Sequence, residues 1–148
     1  MLRVASVGSG SKGNATLVAS GETTLLIDCG FPAREMLSRL DHLGVDVSDI
    51  AAILVTHEHS DHVGGVAAIA KAAGAPIYAT HGTLTSGRLD GARAVVEIES
   101  DSVFAIGDIE VSAITVPHDA KEPVQYVFKH AAQCVGVLTD LGMVSPHV

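Results

Sequence analysis

The sequence has no tryptophan and few aromatic residues of any kind, since Phe, Trp and Tyr together make up 3% of its 148 residues. A surface that stacks single-stranded bases needs several exposed aromatic rings, so this composition argues against one. Basic residues are also scarce, because nine Lys and Arg stand against seventeen Asp and Glu, for a formal net charge of −8. That balance argues against a broad electrostatic footprint for nucleic acid. A polyanionic substrate would have to be attracted by something other than a basic protein surface.

Long apolar runs are missing as well. No stretch approaches the roughly 18 uninterrupted apolar residues of a membrane span, and the first residues lack the charged-then-apolar pattern of a signal peptide. We therefore expect a cytoplasmic protein with no membrane partner. Only two cysteines occur, Cys29 and Cys134, and since they form no C-x-x-C motif we predict both to be reduced and buried. With 47% hydrophobic residues, the chain can build one domain with a substantial core, spanning residues 1–148.

The opening glycines raise the question of nucleotide binding. Gly8, Gly10 and Gly13 match the G-x-G-x-x-G spacing of dinucleotide-binding loops, and an acidic residue, Asp28, follows. That motif requires a helix after the glycines, because the helix N-terminus holds the pyrophosphate. The following residues, NATLVASGETTLLID, instead favour two strands joined by a tight turn. We therefore disfavour the nucleotide interpretation and predict that the glycines let the loop pass close to another part of the chain.

Apolar periodicity predicts strands and helices in alternation, without repeats or linkers. Residues 33–44, AREMLSRLDHLG, predict a helix whose apolar face consists of Met36, Leu37, Leu40 and Leu43. Residues 51–56 and 76–80 predict strands on either side of a second helix that starts near residue 63 and ends at residue 74. From residue 95 onward only strands and short turns are predicted. A mixed sheet with helices on one face indicates an α/β or α+β layered domain.

A cluster of metal-ligand side chains lies in ILVTHEHSDHVGG, directly after the predicted strand. It consists of His57, His59, Asp61 and His62. Imidazole and carboxylate groups bind zinc and other divalent first-row metals, and two histidines two residues apart on extended backbone point the same way. Asp61 and His62 lie beyond a bend at Ser60 and do not readily reach the same ion. The spacing therefore predicts two neighbouring metals rather than a solvated polar loop.

This H-x-H-x-D-H run resembles the metallo-β-lactamase superfamily, and further segments match that family in order. The family's preceding strand appears as LLIDCG, its third histidine ligand matches His118 in VPHDA, and its bridging aspartate matches Asp140 in LTDLG. The resemblance implies an αββα sandwich, of which this chain supplies only part. It also implies a first metal held by His57, His59 and His118 and a second held by Asp61 and His62, with Asp140 bridging both.

The resemblance extends to residues around the metal ligands. In the family, the carboxylate at the position of Asp28 supports the metal loop from behind the ligands. The opening GSGSKGN resembles a bacterial subgroup of metal-dependent, exonuclease-like hydrolases, in which this loop lies at the rim of the metal cleft. Ser9, Ser11 and Asn14 are therefore candidates for substrate binding, through a glycine-rich turn that can hold a phosphate. The alternative for the opening loop is a flexible hairpin loop without a binding role. The alternative for Asp28 is an aspartate that merely ends a strand.

Two features narrow the reactions that this fold supports. The zinc β-lactamases with aspartate at the second site carry cysteine where this chain has Asp140, and they are usually exported, so lactam hydrolysis is disfavoured. A bridging aspartate is shared by the phosphodiesterases, nucleases and thioester hydrolases of the superfamily, and the GSGSKGNAT and HDA..EPV segments favour the phosphodiesterases. We therefore expect two divalent cations, zinc first and manganese or iron as alternatives, and a hydroxide shared between them. Asp61 and Asp140 are the candidate catalytic residues.

The substrate stays open among DNA, RNA and a small diester. Two other functions also stay open: a thioester or small-ester hydrolase of the glyoxalase type, and a non-catalytic or truncated metal-binding domain. The family's second metal takes one more histidine from a second half of the sandwich, and His147 is a poor substitute for it. We expect that the natural protein continues past Val148, or that another chain, such as a second copy in a homo-oligomer, covers the exposed sheet face.

Overall fold

The computed structural model describes residues 1–139 of the chain. Asp140 and His147, and the predictions made for them, lie outside the described residues. The first sheet has six strands in chain order: β1 (Arg3–Gly8), β2 (Ala15–Ala19), β3 (Thr24–Ile27), β4 (Ile50–Leu54), β5 (Ile77–Thr80) and β6 (Val95–Ile98). The β1–β2 and β2–β3 pairs are antiparallel, whereas β3 to β6 run parallel.

The second sheet is an antiparallel meander of four strands. These are β7 (Val103–Ile106), β8 (Ile109–Thr115), β9 (Val124–His130) and β10 (Gln133–Val137), in the spatial order β10-β9-β8-β7. Tight turns at Gly107–Asp108 and Ala131–Ala132 join β7 to β8 and β9 to β10, and both turns use a left-handed residue, Gly107 at φ 57° and Ala131 at φ 52°. The strand-rich second part of the sequence is therefore confirmed.

The first helix, α1 (Ala33–His42), follows Pro32 and is followed by Gly44 at φ 71°. It buries Met36 and Leu40, but Leu37 and Leu43 are 38% and 46% exposed. The prediction of a continuous apolar face was wrong for these two leucines. Leu37 lies about 100° around the helix from Met36, and Leu43 lies beyond the last helical residue.

The helix predicted from about residue 63 to 74 is two helices, α2 (Ser60–Val63) and α3 (Val66–Ala73), separated by Gly64 and Gly65. The backbone of Gly65 lies so close to the preceding loop that a Cβ there would be 1.9 Å from the Phe31 carbonyl oxygen. This close packing bends the chain away from a continuous helix. A short 3-10 turn at Val47–Asp49 and a fourth helix, α4 (His81–Thr85), were not predicted.

Two apolar cores divide the molecule into layers. One lies between α1, α3 and the first sheet, with Met36, Ile53 and Ile69 among its members. The other lies between the two sheets, where Leu25 and Phe128 are fully buried. Residues 1–139 thus form three layers in space, with the helices on one side, the first sheet in the middle and the second sheet on the other side. This agrees with the predicted layered class. Within these residues, no helix has the length and apolar character needed to cross a bilayer.

The opening glycines pack against an aromatic ring, as the predicted close approach requires. A Cβ on Gly8 would lie 2.3 Å from the Phe31 ring, and one on Gly13 would lie 2.5 Å from it. The Arg39 guanidinium covers the same ring at 4.0 Å from its centroid. The segment after the loop is strand β2 rather than a helix, so the dinucleotide motif has no helix to act with.

Cysteine burial was predicted correctly for one residue only. Cys29 is buried behind α3, whereas Cys134 is exposed on β10. The difference arises because side chains alternate along a strand: Val135 and Val137 of β10 pack into the core between the sheets, so Cys134 lies on the opposite face of the strand.

The fold brings the predicted ligands to one end of the first sheet. The parallel strands β3 and β4 end at the same edge, so Asp28 after β3 lies beside Thr56 and His57 after β4. The loop after β8, which carries His118, reaches the same edge from the second sheet.

Candidate metal centre

Three histidines converge at this edge. One ligand atom from each of His57, His59 and His118 lies within 4.8 Å of the other two. Their ring centroids are 4.7 Å apart for His57 and His59, 4.5 Å for His57 and His118, and 5.0 Å for His59 and His118. His57 is buried and the other two are half-buried. Imidazole nitrogens this close together suit a single divalent cation.

The loop that carries His118 is fastened to the histidine motif by hydrogen bonds. The Lys121 amide donates to Glu58 Oε1 at 3.0 Å, and the Val124 amide donates to the Thr56 carbonyl at 3.0 Å. Glu58 lies between His57 and His59 in the sequence, so the same short segment supplies two histidines and the anchor for the third. The sequence prediction did not include Glu58, although its position between the two predicted ligand histidines was a signal that could have identified it.

Asp28 accepts hydrogen bonds from two neighbouring residues behind the cluster. Its Oδ1 accepts from the Thr56 amide at 2.7 Å, and its Oδ2 accepts from the Thr56 hydroxyl at 2.6 Å and from His62 Nδ1 at 2.7 Å. The residue has a left-handed φ of 59°, which aspartate tolerates better than most side chains. Burial, the largest influence, leaves the pKa of the Asp28 carboxyl above its ordinary value, although the His62 contact and the Thr56 hydrogen bonds act in the opposite direction.

These contacts fix the proton positions of two histidine rings. His62 donates from Nδ1, so a neutral His62 ring carries its lone pair on Nε2. The Thr56 hydroxyl donates its only proton to Asp28, so at 2.9 Å it accepts from His57 Nδ1. The His57 lone pair is then also on Nε2. A carboxylate that hydrogen-bonds to ligand histidines and so orients them is a common feature of metal sites. Thr56 takes part in this hydrogen-bond network, and the sequence prediction did not include it.

Asp61 and His62 lie next to the three-histidine cluster. The His57 and His62 ring centroids are 4.2 Å apart, and Asp61 Oδ2 is 3.5 Å from His62 Nε2. His62 is fully buried, whereas the Asp61 side chain is 27% exposed. The arrangement places a carboxylate and an imidazole beside the first cluster, and Asp140, the predicted bridging residue, lies outside the described residues.

The predicted substrate residues differ in their environment. Ser9 and Ser11 are exposed on the loop before β2. Asn14 is buried, and its side-chain amide contacts Gly10 and Asp61. The structure therefore brings Asn14 to the ligand residues, while the two serines lie on the outer side of the same loop.

The donor set fits a divalent cation. His118 Nε2 is buried and has no hydrogen-bond partner among residues 1–139, which is costly for a polar atom unless another group binds it. Nitrogen ligands of this kind are typical of zinc and other first-row metals, and the neighbouring Asp61 carboxylate widens the choice.

A family model described as the Metallo-beta-lactamase superfamily matches residues 8–124, which is most of the chain. The chain belongs to the metallo-beta-lactamase superfamily. The fold predicted from the resemblance is therefore confirmed. Among solved structures, Rm3 metallo-beta-lactamase shares the fold with a TM-score of 0.76 at 21% sequence identity, and the alignment covers 90% of this chain and 56% of that one.

Curated relatives with nuclease names also match. Exodeoxyribonuclease YycJ of Bacillus anthracis is 33% identical over 143 residues, covering 93% of this chain and 53% of the relative. Ribonuclease Z of Mycolicibacterium gilvum (strain PYR-GCK) is 41% identical over 70 residues, covering 43% of this chain and 23% of the relative. The chain spans about half the length of YycJ.

Proposed function

We propose that this chain is a metal-dependent hydrolase of phosphodiester bonds, with nucleic acid as its substrate class. The observation that carries the proposal is the convergence of His57, His59 and His118, whose ligand atoms lie within 4.8 Å of one another. Asp61 and His62 lie beside these histidines. A partly exposed site of this composition supports metal-assisted hydrolysis rather than a purely structural role.

The ligands divide into two groups in this proposal. His57, His59 and His118 would hold the first cation, and Asp61 and His62 would hold the second; the resemblance implies that Asp140 would serve both. The nitrogen-rich first site favours zinc, while the second site, with its carboxylates, also accepts manganese or iron.

Bound divalent cations would supply an acidified water and neutralise charge that develops on phosphoryl oxygens. The chain's own residues prepare the site for this. Asp28 and Thr56 keep the Nε2 lone pairs of His57 and His62 in place, so neither ring has to change tautomer when a cation arrives. Asp61 supplies the carboxylate of the second group, and its side chain is 27% exposed whereas that of His62 is fully buried, so solvent and substrate can reach the group at Asp61.

The choice of phosphodiester substrates is supported by relatives and by the opening loop. Both the 33% identical exodeoxyribonuclease and the partly matching ribonuclease Z are named for nucleic-acid cleavage. Ser9 and Ser11 are exposed on the glycine-rich loop whose Asn14 contacts Asp61, and hydroxyl and amide groups on such a loop can contact a phosphate. Cations at the site would attract a polyanion locally even though the chain has a net charge of −8.

A substrate panel tests the proposal. The chain is stripped with a chelator, reloaded with Zn²⁺ or Mn²⁺, and offered an activated phosphodiester, single- and double-stranded DNA, RNA and a glutathione thioester. We expect cation-dependent cleavage of phosphodiesters, which His59→Ala abolishes and which His42→Ala, a change at an exposed histidine of α1, leaves intact. Cleavage of the thioester alone would identify a glyoxalase-type hydrolase instead. Cation binding with no cleavage at all would identify a non-catalytic metal-binding domain.

A further inference from the structure

Asn14 uses its backbone and side-chain polar groups to join the opening loop to Gly30 and Asp61. Its backbone amide donates to the Asp61 carbonyl at 2.8 Å, and its own carbonyl accepts from the Gly30 amide at 3.0 Å. Its side-chain Nδ2 lies 2.8 Å from the Gly10 carbonyl, 3.2 Å from the Asp61 carbonyl and 3.2 Å from Asp61 Oδ2. The residue is only 7% exposed, so these contacts are made away from bulk water.

The orientation of the Asn14 amide is determined by its neighbours. The Gly10 amide can only donate, and it lies 3.1 Å from Asn14 Oδ1. The Gly10 carbonyl can only accept, so the group beside it must be Nδ2. The NH₂ group is therefore the end that lies against Asp61, and it acts as a neutral donor to a carboxylate.

The Asp61 carboxylate consequently has one donor at Oδ2, the Asn14 amide, while the His62 Nε2 lone pair lies beside the same oxygen and cannot donate to it. Oδ2 lies 3.2 Å from Asn14 Nδ2 and 3.5 Å from His62 Nε2. A side chain with 27% exposure would otherwise sample several rotamers. The backbone is fixed at the same place, since a Cβ on Gly30 would lie 1.8 Å from the Asp61 carbonyl oxygen.

We propose that Asn14 is a positioning residue that holds the Asp61 carboxylate toward His62 and thereby sets the affinity for the second cation. This inference rests on the proposed function, in which Asp61 and His62 hold that cation. It also assigns Asn14 a role different from substrate contact, because the buried amide is committed to Gly10 and Asp61. Ser9 and Ser11 remain as the loop's exposed hydroxyls.

Ser20 provides a matched control for Asn14. The two residues flank strand β2, both are buried polar side chains, and each donates to a carboxylate, Ser20 Oγ to Asp108 Oδ1 at 2.6 Å. Ser20 lies at the opposite end of the strand from the metal ligands. A general loss of stability would follow from either substitution, whereas a change at the second cation site should follow only from the loss of Asn14.

The test combines cation titration with hydrogen exchange. The metal-free chain is titrated with Zn²⁺ by calorimetry, for the wild type, Asn14→Ala, Asn14→Ser and Ser20→Ala. Substitution of a residue that orients a metal ligand typically costs about 10- to 100-fold in affinity. We expect a loss of that size for the second Zn²⁺ in both Asn14 variants, with the first Zn²⁺ changed less than about threefold and Ser20→Ala like the wild type. Asn14→Ser keeps a short polar group for the loop, so it preserves the test if Asn14→Ala does not fold.

Hydrogen exchange of the metal-free proteins separates this inference from the proposed function. We expect faster exchange in residues 59–63 in the Asn14 variants than in the wild type or Ser20→Ala. A wild-type chain that takes up a single Zn²⁺ would contradict the two-cation site, and faster exchange in the Asn14 variants would still support Asn14 as the residue that holds Asp61. Unchanged exchange, or a second-site affinity within about twofold of the wild type in both Asn14 variants, would overturn the inference.

Discussion

The Tyr126 hydroxyl, on β9 of the second sheet, donates a hydrogen bond of 2.7 Å to the carbonyl of Val55, the residue that directly follows β4 of the first sheet. Both are fully buried, and Val55 lies two residues before His57. Burial raises the pKa of Tyr126 well above its ordinary value, and the nearby Asp28 charge acts in the same direction, so the hydroxyl keeps its proton. The second sheet therefore supports the backbone from which the metal-binding segment begins.

We predict that Tyr126→Phe destabilises the fold by about 1–3 kcal/mol, because it leaves the buried Val55 carbonyl without this donor. Tyr78→Phe is the control, since Tyr78 is only half-buried and its ring, stacked on Phe104, is retained by phenylalanine. Unfolding by urea measures both. Equal stability of the two variants would show that the Tyr126 hydroxyl contributes nothing to the contact between the sheets.

Removal of a first-site ligand should lower metal content. His59→Ala takes one of three converging imidazoles away, and we expect it to retain less than about half of the metal found in the wild type after gentle purification. His42→Ala changes an exposed histidine whose Nδ1 contacts the Ser38 carbonyl within α1, and it should keep the full content. Elemental analysis of the purified proteins gives the answer, and the same content in both variants contradicts the ligand assignment.

Asp61→Asn should reduce turnover far more than stability. The side chain is partly exposed and belongs to neither apolar core, so the fold should keep a melting temperature within a few degrees of the wild type. Loss of the carboxylate should lower kcat on an activated phosphodiester by about 100-fold or more, as removal of a charge-stabilising group does elsewhere. A folded variant with full activity would exclude Asp61 from the reaction.

The two cysteines should differ in their reaction with a thiol reagent. Burial raises the pKa of the Cys29 thiol to about 11, so at pH 8 it is both shielded and protonated. Cys134 is exposed and should react at the rate of an ordinary surface thiol. In the native protein we expect one fast-reacting thiol, lost in Cys134→Ser and kept in Cys29→Ser. Two fast thiols before unfolding would contradict the burial of Cys29.

The turn between β7 and β8 should make stability depend on acid pH. Hydrogen bonds from Ser20 and Thr23, with a smaller contribution from His130, lower the pKa of Asp108 in the folded chain. A lowered folded pKa means that the ionised carboxyl adds stability above its unfolded pKa of about 3.9, and that this stability is lost as pH falls through the folded value. Asp108→Asn should therefore have a lower free energy of unfolding than the wild type at pH 6. The difference between the two free energies should narrow below about pH 4. A difference in the free energy of unfolding that stays constant between pH 6 and pH 3 would show that the charge of the Asp108 carboxylate does not contribute to stability.

Local chemistry in the sequence was sufficient to predict the ligand types and most of the elements. The H-x-H-x-D-H spacing after an apolar strand indicates a metal-binding loop, because strand geometry and imidazole chemistry are both local properties. The strands after residue 95 and the left-handed glycine that follows α1 are likewise local, since period-2 patterns and glycine stops act over a few residues. The metal assignments for Asp61 and His62 stay predictions.

Tertiary structure decided which distant residues meet. His118 lies far from His57 in the chain, and only the packing of β8 against the first sheet brings the two rings to 4.5 Å. Asp28 reaches Thr56 because β3 and β4 are parallel neighbours, and Asn14 reaches Asp61 because glycines let the opening loop pack on Phe31. The exposure of Cys134 also depended on which face of β10 packs against the first sheet. Such contacts depend on long-range strand order and packing, which no short stretch of sequence encodes by itself.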